Sequence, residues 1–249
     1  MAAAPWRTAV VERITEEVKN TRRFFFRVPD LEQFDFIPGQ FVTLDLPIHE
    51  KPARRWRSYS IASRPDGSNV FELCIVLLEG GAGTTYLFNE VREGSEIPVR
   101  GPLGAFILPD NLVQKDIYFI CTGTGIAPFR SMLHHILVNN IPHKGIYLIF
   151  GTRKRENLLY FNEMVHLAAS LPEFHFMPTL SREVWEGRTG YVHDVYEDTL
   201  RRNSTPVGSE EESGAVFYLC GWKDMINEAK RRITDMGFSR KCIHQELYG

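Results

Sequence analysis

Four stretches carry residue types able to bind phosphate or a flat ring. After the apolar run Ile117–Thr122 come Gly123, Thr124 and Gly125, then Ile126-Ala127-Pro128. Glycines let a backbone approach a pyrophosphate closely, and the positive end of a following helix favours its charge. Pro128 suits the first turn of such a helix. Two glycines after a strand are equally an ordinary tight turn, so both readings stand. Further on, Ile146–Gly151 runs into Thr152-Arg153-Lys154-Arg155, and a later strand ends in Ser181-Arg182, followed by Arg188 and Tyr191. A dinucleotide unit of the NAD type would offer an acidic residue to the ribose 2′-hydroxyl. Hydroxyl, guanidinium and aromatic groups suit a 2′-phosphate and an adenine instead, or else form a solvated polar loop.

The other two stretches lie earlier. Arg57-Ser58-Tyr59-Ser60-Ile61-Ala62-Ser63 alternates, so a strand there sets Arg57, Tyr59 and Ile61 on one face and Ser58 and Ser60 on the other. A flavin needs a ring to stack, a hydroxyl near its reactive atoms and charge for its phosphates. This segment supplies all three, or is an ordinary strand. Gly80-Gly81-Ala82-Gly83-Thr84-Thr85 precedes a helix-like segment at 84–91, again a place for phosphate.

The elements that must position these residues change period midway. Residues 8–18, 21–28, 40–47, 56–63, 69–78 and 95–101 read as short strands between turns such as Pro38-Gly39 and Pro65-Asp66-Gly67, the pattern of a small antiparallel barrel or a sandwich. Beyond Pro109, buried strands at 117–122, 146–152, 174–181 and 216–221 alternate with helical stretches at 128–140, 157–171, 192–202 and 224–237. Such alternation builds a doubly wound parallel sheet. Two domains are expected, 1–110 and 111–249, with Cys242–Gln245 finishing the second sheet.

Bulk properties narrow the partners. At 249 residues with 43% hydrophobic and 24% charged content, the chain reads as soluble and globular. A net charge of −2 gives no global pull toward nucleic acid or anionic membrane. The four cysteines, Cys74, Cys121, Cys220 and Cys242, form no C-x-x-C pair, which argues against a metal or iron–sulfur site. Their scatter, the lack of a secretory pattern at the start and the lack of an apolar run of ~20 residues imply a cytoplasmic chain without a membrane span. Lys51, Arg54, Arg55 and Arg57 form a basic run around Trp56.

Taken in order, these motifs resemble the ferredoxin–NADP(H) reductase family nearly end to end. RSYSIAS resembles its flavin motif, GAGTTYL its second phosphate motif, and GPLGAF (101–106) the turn closing the flavin domain. TGTGIAP is similar to the nicotinamide and pyrophosphate loop, SRE to the 2′-phosphate site, and Cys220-Gly221 with Met225 to the C-G segment. The resemblance implies an FAD-dependent enzyme that exchanges hydride with NADPH and single electrons with ferredoxin or flavodoxin. It implies that Arg57, Ser58, Gly83, Thr84 and Thr85 hold FAD phosphates and that Tyr59 stacks on the isoalloxazine, with Ser60 near flavin N5. Gly123, Thr124 and Gly125 would line the nicotinamide path, and Ser181, Arg182, Arg188 and Tyr191 would take the adenosine 2′-phosphate. Cys220 would sit against nicotinamide C4, unless it is simply a buried strand-end cysteine. The tail Glu246-Leu247-Tyr248 has the spacing of the family's terminal Glu-x-Tyr, with Gly249 as one extra residue. Tyr248 would then stack on the flavin and Glu246 carry charge or protons. A reductase component serving an oxygenase, or a flavin subunit without its own NADPH activity, are the alternatives.

Overall fold

The computed structural model of the protein describes residues 4–109 and 111–248. It divides into two compact units, residues 1–107 with 130–135, and residues 108–129 with 136–249.

The first unit carries β1 (Trp6–Val18), β2 (Thr21–Arg27), β3 (Phe41–Asp45), β4 (Trp56–Ser60), β5 (Val70–Val76), α1 (Ala82–Asn89) and β6 (Glu96–Leu103). The strands pair antiparallel in the order β4-β3-β6-β1-β2-β5. An Ile61–Leu73 bridge and the Ala62 N–H donating to the Glu72 carbonyl at 2.8 Å join the two outermost strands and close the barrel. Closure removes the exposed edges that an open sheet would offer. Alternation explains the interior: Phe24 and Phe26 of β2 are fully buried, whereas Phe25 between them is only half-buried. Phe26 stacks on Phe71 at 5.4 Å and Phe34 meets Phe71 at 4.8 Å, an aromatic centre for this core. Glu72, buried beside it, is held by the fork of Arg23 at 2.7 and 2.8 Å.

The second unit carries β7 (Asp116–Thr122), α2 (Ala127–Val138), β8 (Ile146–Thr152), α3 (Phe161–Ser170), β9 (Phe174–Leu180), β10 (Arg188–Thr189), α4 (Val192–Arg202), β11 (Ala215–Trp222), α5 (Lys223–Asp235) and β12 (Ile243–Tyr248). Its strands are parallel in the order β10-β9-β8-β7-β11-β12. The chain moves outward from β7 to β10 and then returns to the other side of β7. The order therefore reverses at the β7–β11 seam, where sheets of this kind take ligands. Residues 116–121 are buried throughout, which is why β7 is a continuous apolar run with β8 and β11 flanking it. On α4, Val192, Val195, Tyr196 and Leu200 recur at helical spacing and face the sheet.

The parallel sheet and the antiparallel barrel match the sequence reading, while several elements begin or end a few residues from the expected positions. Helix α1 starts at Ala82 rather than Thr84, because the Thr84 hydroxyl accepts from Leu78 N–H at 3.1 Å and donates to the Gly81 carbonyl at 3.1 Å, closing the turn early. Strand β12 continues past Gln245 to Tyr248, since β11 offers partners as far as Trp222. The two-residue β10, absent from the sequence reading, is too short to leave a periodic signal. Among the described residues no helix is long and apolar enough to cross a membrane.

Truncating Phe71 to Ala should cost about 3–5 kcal/mol in denaturant unfolding, the usual loss for a buried aromatic. A loss below about 1 kcal/mol would contradict its central place in the barrel core.

Candidate functional site

In the first unit, β4 pairs with β3 so that Arg57, Tyr59 and Ile61 share one face, as alternation requires. Arg57 reaches the start of α1. A β carbon placed on Gly83 would lie 2.9 Å from Arg57 Cγ and 3.1 Å from its Nε, so only glycine lets the side chain rest against the helix. Arg57 Nη1 is steadied by the carbonyls of Arg54 at 3.0 Å and Trp56 at 2.8 Å. The N–H groups of Ala82, Gly83 and Thr84 have no intrahelical acceptor, and the helix dipole adds partial positive charge there. A guanidinium beside unspent helix-start donors is a built anion cradle. Thr84, as described, spends its hydroxyl on the turn; Thr85 is exposed, its N–H closing the helix onto the Gly81 carbonyl at 2.9 Å. Tyr59 packs on the barrel core, and burial pushes its phenol up to about 12 with Arg57 pulling it partly back. It remains a neutral ring at physiological pH. Ser58 faces away, within 3.0 Å of the Thr43 hydroxyl, and Ser60 is buried.

In the second unit, Gly123–Ile126 form one tight turn between β7 and α2. A β carbon on Gly125 would lie 2.3 Å from the Cys220 carbonyl oxygen, so the turn is pressed against the end of β11. Gly221 answers it: with φ +144°, a β carbon there would meet Thr122 Oγ1 at 2.6 Å. That Thr122 hydroxyl is buried without a hydrogen-bond partner, beside the glycine turn. An orphaned hydroxyl and a glycine turn at the switch point fit a nucleotide's polar groups. Cys220 is fully buried, and burial raises its thiol well above 9, assisted by Glu246, against a hydrogen bond from the Tyr248 side chain that lowers it. The strand register explains the meeting: Cys220 pairs with Glu246, and Tyr248 lies two residues farther on.

The polar rim lies at the ends of β8 and β9. Ser181 N–H donates to the Thr152 carbonyl at 2.9 Å, and Arg182 N–H to the Arg153 carbonyl at 3.0 Å, which sets the two loops side by side. Arg182 is exposed, Tyr191 is 67% exposed at the cap of α4, and Arg188 extends to within 4.0 Å of Asp198. Trp185 pins the intervening loop by donating to the Arg188 carbonyl at 2.7 Å.

The structure thus groups Arg57, Tyr59 and Gly83 in one unit, and Gly125, Cys220, Glu246 and Tyr248 in the other. Thr122 begins the TGTGIAP motif but has no role of its own in the sequence reading; its buried, unpartnered hydroxyl now marks it as a candidate. Its position directly before the Gly-x-Gly turn was the available signal.

Comparison with known proteins agrees with this division. The family description "Oxidoreductase FAD-binding domain" matches residues 8–107, and "Oxidoreductase NAD-binding domain" matches residues 119–231. The chain is 33% identical over 231 residues to ferredoxin–NADP reductase B of Sorangium cellulosum, covering 91% of each chain. It is 30% identical to the anthranilate 1,2-dioxygenase electron transfer component of Acinetobacter baylyi, covering 88% of this chain and 60% of that one. Among solved structures, the Amycolatopsis cytochrome P450 reductase GcoB has a TM-score of 0.83 at 27% identity, covering 99% of this chain and 71% of that one. The ferredoxin NADP+ reductase of Neisseria gonorrhoeae, with bound FAD and NADP, shares the fold at a TM-score of 0.80 and 23% identity, covering 98% and 99%.

Because burial holds Cys220 protonated, the native chain at pH 8.5 should react with iodoacetamide at Cys220 roughly a hundredfold more slowly than the unfolded chain. The unfolded thiol ionises first as pH passes ~9, so this group's contribution to stability is present below that pH and lost above it. Equal alkylation rates in the two states would contradict the assignment.

Proposed function

This chain belongs to the ferredoxin–NADP(H) reductase family of FAD- and NAD(P)-binding oxidoreductases, and from that premise we propose that it exchanges electrons between NADPH and a separate one-electron carrier, ferredoxin or flavodoxin. Residues 1–110 would serve as the FAD domain and 111–249 as the NADP(H) domain of a cytoplasmic enzyme. The observation that carries the reading is the register of β12 on β11, which sets Glu246 opposite Cys220 and Tyr248 two residues farther on, beside the glycine turn pressed against Cys220. On this reading the tail holds the nicotinamide's place until a dinucleotide takes it.

Each unit's residues have a defined task. Arg57 and the N–H groups of Ala82, Gly83 and Thr84 would bind the FAD diphosphate, Tyr59 would offer its neutral ring as a stacking face, and Ser60 would orient the flavin. Gly123, Thr124 and Gly125 would admit the NADP pyrophosphate and nicotinamide. Ser181, Arg182, Arg188 and Tyr191 would hold the 2′-phosphate and adenine, which favours NADPH over NADH. When bound, FAD supplies hydride acceptance at N5 and one-electron transfer, and NADPH supplies the hydride at C4. Cys220, kept neutral by burial, would bound the nicotinamide pocket without adding charge. Glu246, its strand partner, would bear charge near the reacting atoms. The basic run Lys51 to Arg57 would receive an acidic carrier.

A second reading, a reductase serving an oxygenase, is supported by the similarity to the Acinetobacter electron transfer component. Turnover with ferredoxin, flavodoxin and an oxygenase component as alternative acceptors separates the two.

The purified protein should be yellow and bleach on anaerobic addition of NADPH; a flavin that stays oxidised would refute the reductase reading. Rising ionic strength should slow carrier reduction while dye reduction by NADPH stays nearly constant, and equal salt insensitivity would remove the basic run from docking. Tyr248→Ser should tighten NADP+ binding by about two- to tenfold, the worth of one displaced aromatic stack. Unchanged affinity would leave Tyr248 as only the end of a strand.

A further inference from the structure

We propose that Glu186 sets the strength of 2′-phosphate recognition by withholding Arg155 from it. The inference rests on the dinucleotide reading above and adds a residue pair to it. Past the Ser181–Thr152 and Arg182–Arg153 backbone bonds, the same two loops meet once more. Arg155 N–H donates to Glu183 Oε2 at 3.0 Å. The Arg155 guanidinium then takes Glu186 as a fork, with Nη1 to Oε2 at 3.2 Å and Nη2 to Oε1 at 2.9 Å. Arg155 therefore stands on the rim that carries Ser181 and Arg182, where it lines a shallow surface cavity with Lys154, Glu156 and Glu183.

The fork is not particular to a carboxylate. A guanidinium presents the same paired donors to a carboxylate as to a phosphate, so one anion excludes the other. The pair is open to water, with side chains 56% and 63% exposed, and exposed pairs of this kind are weak. A phosphomonoester carries about −1.5 to −2 charges at neutral pH and can compete for the fork. Glu186 thus acts through Arg155, occupying a guanidinium of the rim that the phosphate would otherwise meet. Glu183 does different work, because its bond is to the Arg155 backbone and holds the loop in place whether or not Glu186 is charged. The site as built therefore recognises the 2′-phosphate less strongly than its basic residues would permit, and the setting lies in one exposed side chain.

The test measures binding rather than turnover. Calorimetric affinities for 2′,5′-ADP and 5′-ADP are compared in the flavin-loaded wild type, in Glu186→Gln, in Arg155→Ala and in the double variant. The quantity read is the ratio of the two affinities, since 5′-ADP lacks only the 2′-phosphate. Glu186→Gln should raise the ratio about three- to tenfold at low ionic strength, and the gain should shrink as salt screens it. With Arg155→Ala in place, Glu186→Gln should bring no gain. An unchanged ratio in the single variant would overturn the proposal, as would a gain that persists without Arg155. A wild type that binds neither nucleotide would overturn the dinucleotide reading itself, a distinguishable failure.

Discussion

A side chain of even one carbon at Gly125 would lie 2.3 Å from the carbonyl oxygen of Cys220, closer than any stable contact allows. The close approach of the β7–α2 turn to the end of β11 depends on that missing carbon. It brings Thr122, Gly221 and Cys220 together at the point where the strand order reverses. It also fixes where the tail can act. Once β11 ends beside the turn, the register of β12 delivers Glu246 opposite Cys220 and Tyr248 opposite Trp222. The site is thus a consequence of sheet order and of one position that tolerates no β carbon.

The first unit uses the same device for a different end. Gly83 lets Arg57 lie against the start of α1, where a guanidinium and unspent N–H groups reinforce each other. The closed barrel makes that meeting reproducible, because β4 is held by β3 along its length and the chain just beyond it bridges to β5. In both units a rigid sheet places a strand end, and a glycine sets how near a second segment can come. The third feature, the rim at β8 and β9, is looser and depends on charges open to solvent, which is where tuning by single residues costs the fold least.

How much of this was legible in the sequence depends on the range of the forces involved. The Ile117–Thr122 run announced a strand buried on both faces because every neighbour in the sheet demands apolar side chains there. The Arg57–Ile61 alternation was equally plain, since period two is a local property. The end of β12 was not legible, because its length is set by how far β11 extends and not by residues 246–248 themselves. Thr84 enters as a phosphate ligand through the family resemblance; that its hydroxyl also closes the turn at Leu78 and Gly81 is a matter of loop geometry and was not legible. The Arg155–Glu186 fork joins residues 31 apart, and no pattern in either segment points to the other.

The dependence of the site on Gly125 is read most directly from the rate at which NADPH reduces bound flavin in Gly125→Ala, followed by rapid mixing beside the wild type. The added carbon should push the turn off Cys220 while the first unit keeps its flavin. Flavin content should stay full while reduction slows by about tenfold or more, as expected when reacting groups are misplaced by a fraction of an ångström or more. Full flavin content with an unchanged rate would contradict that dependence.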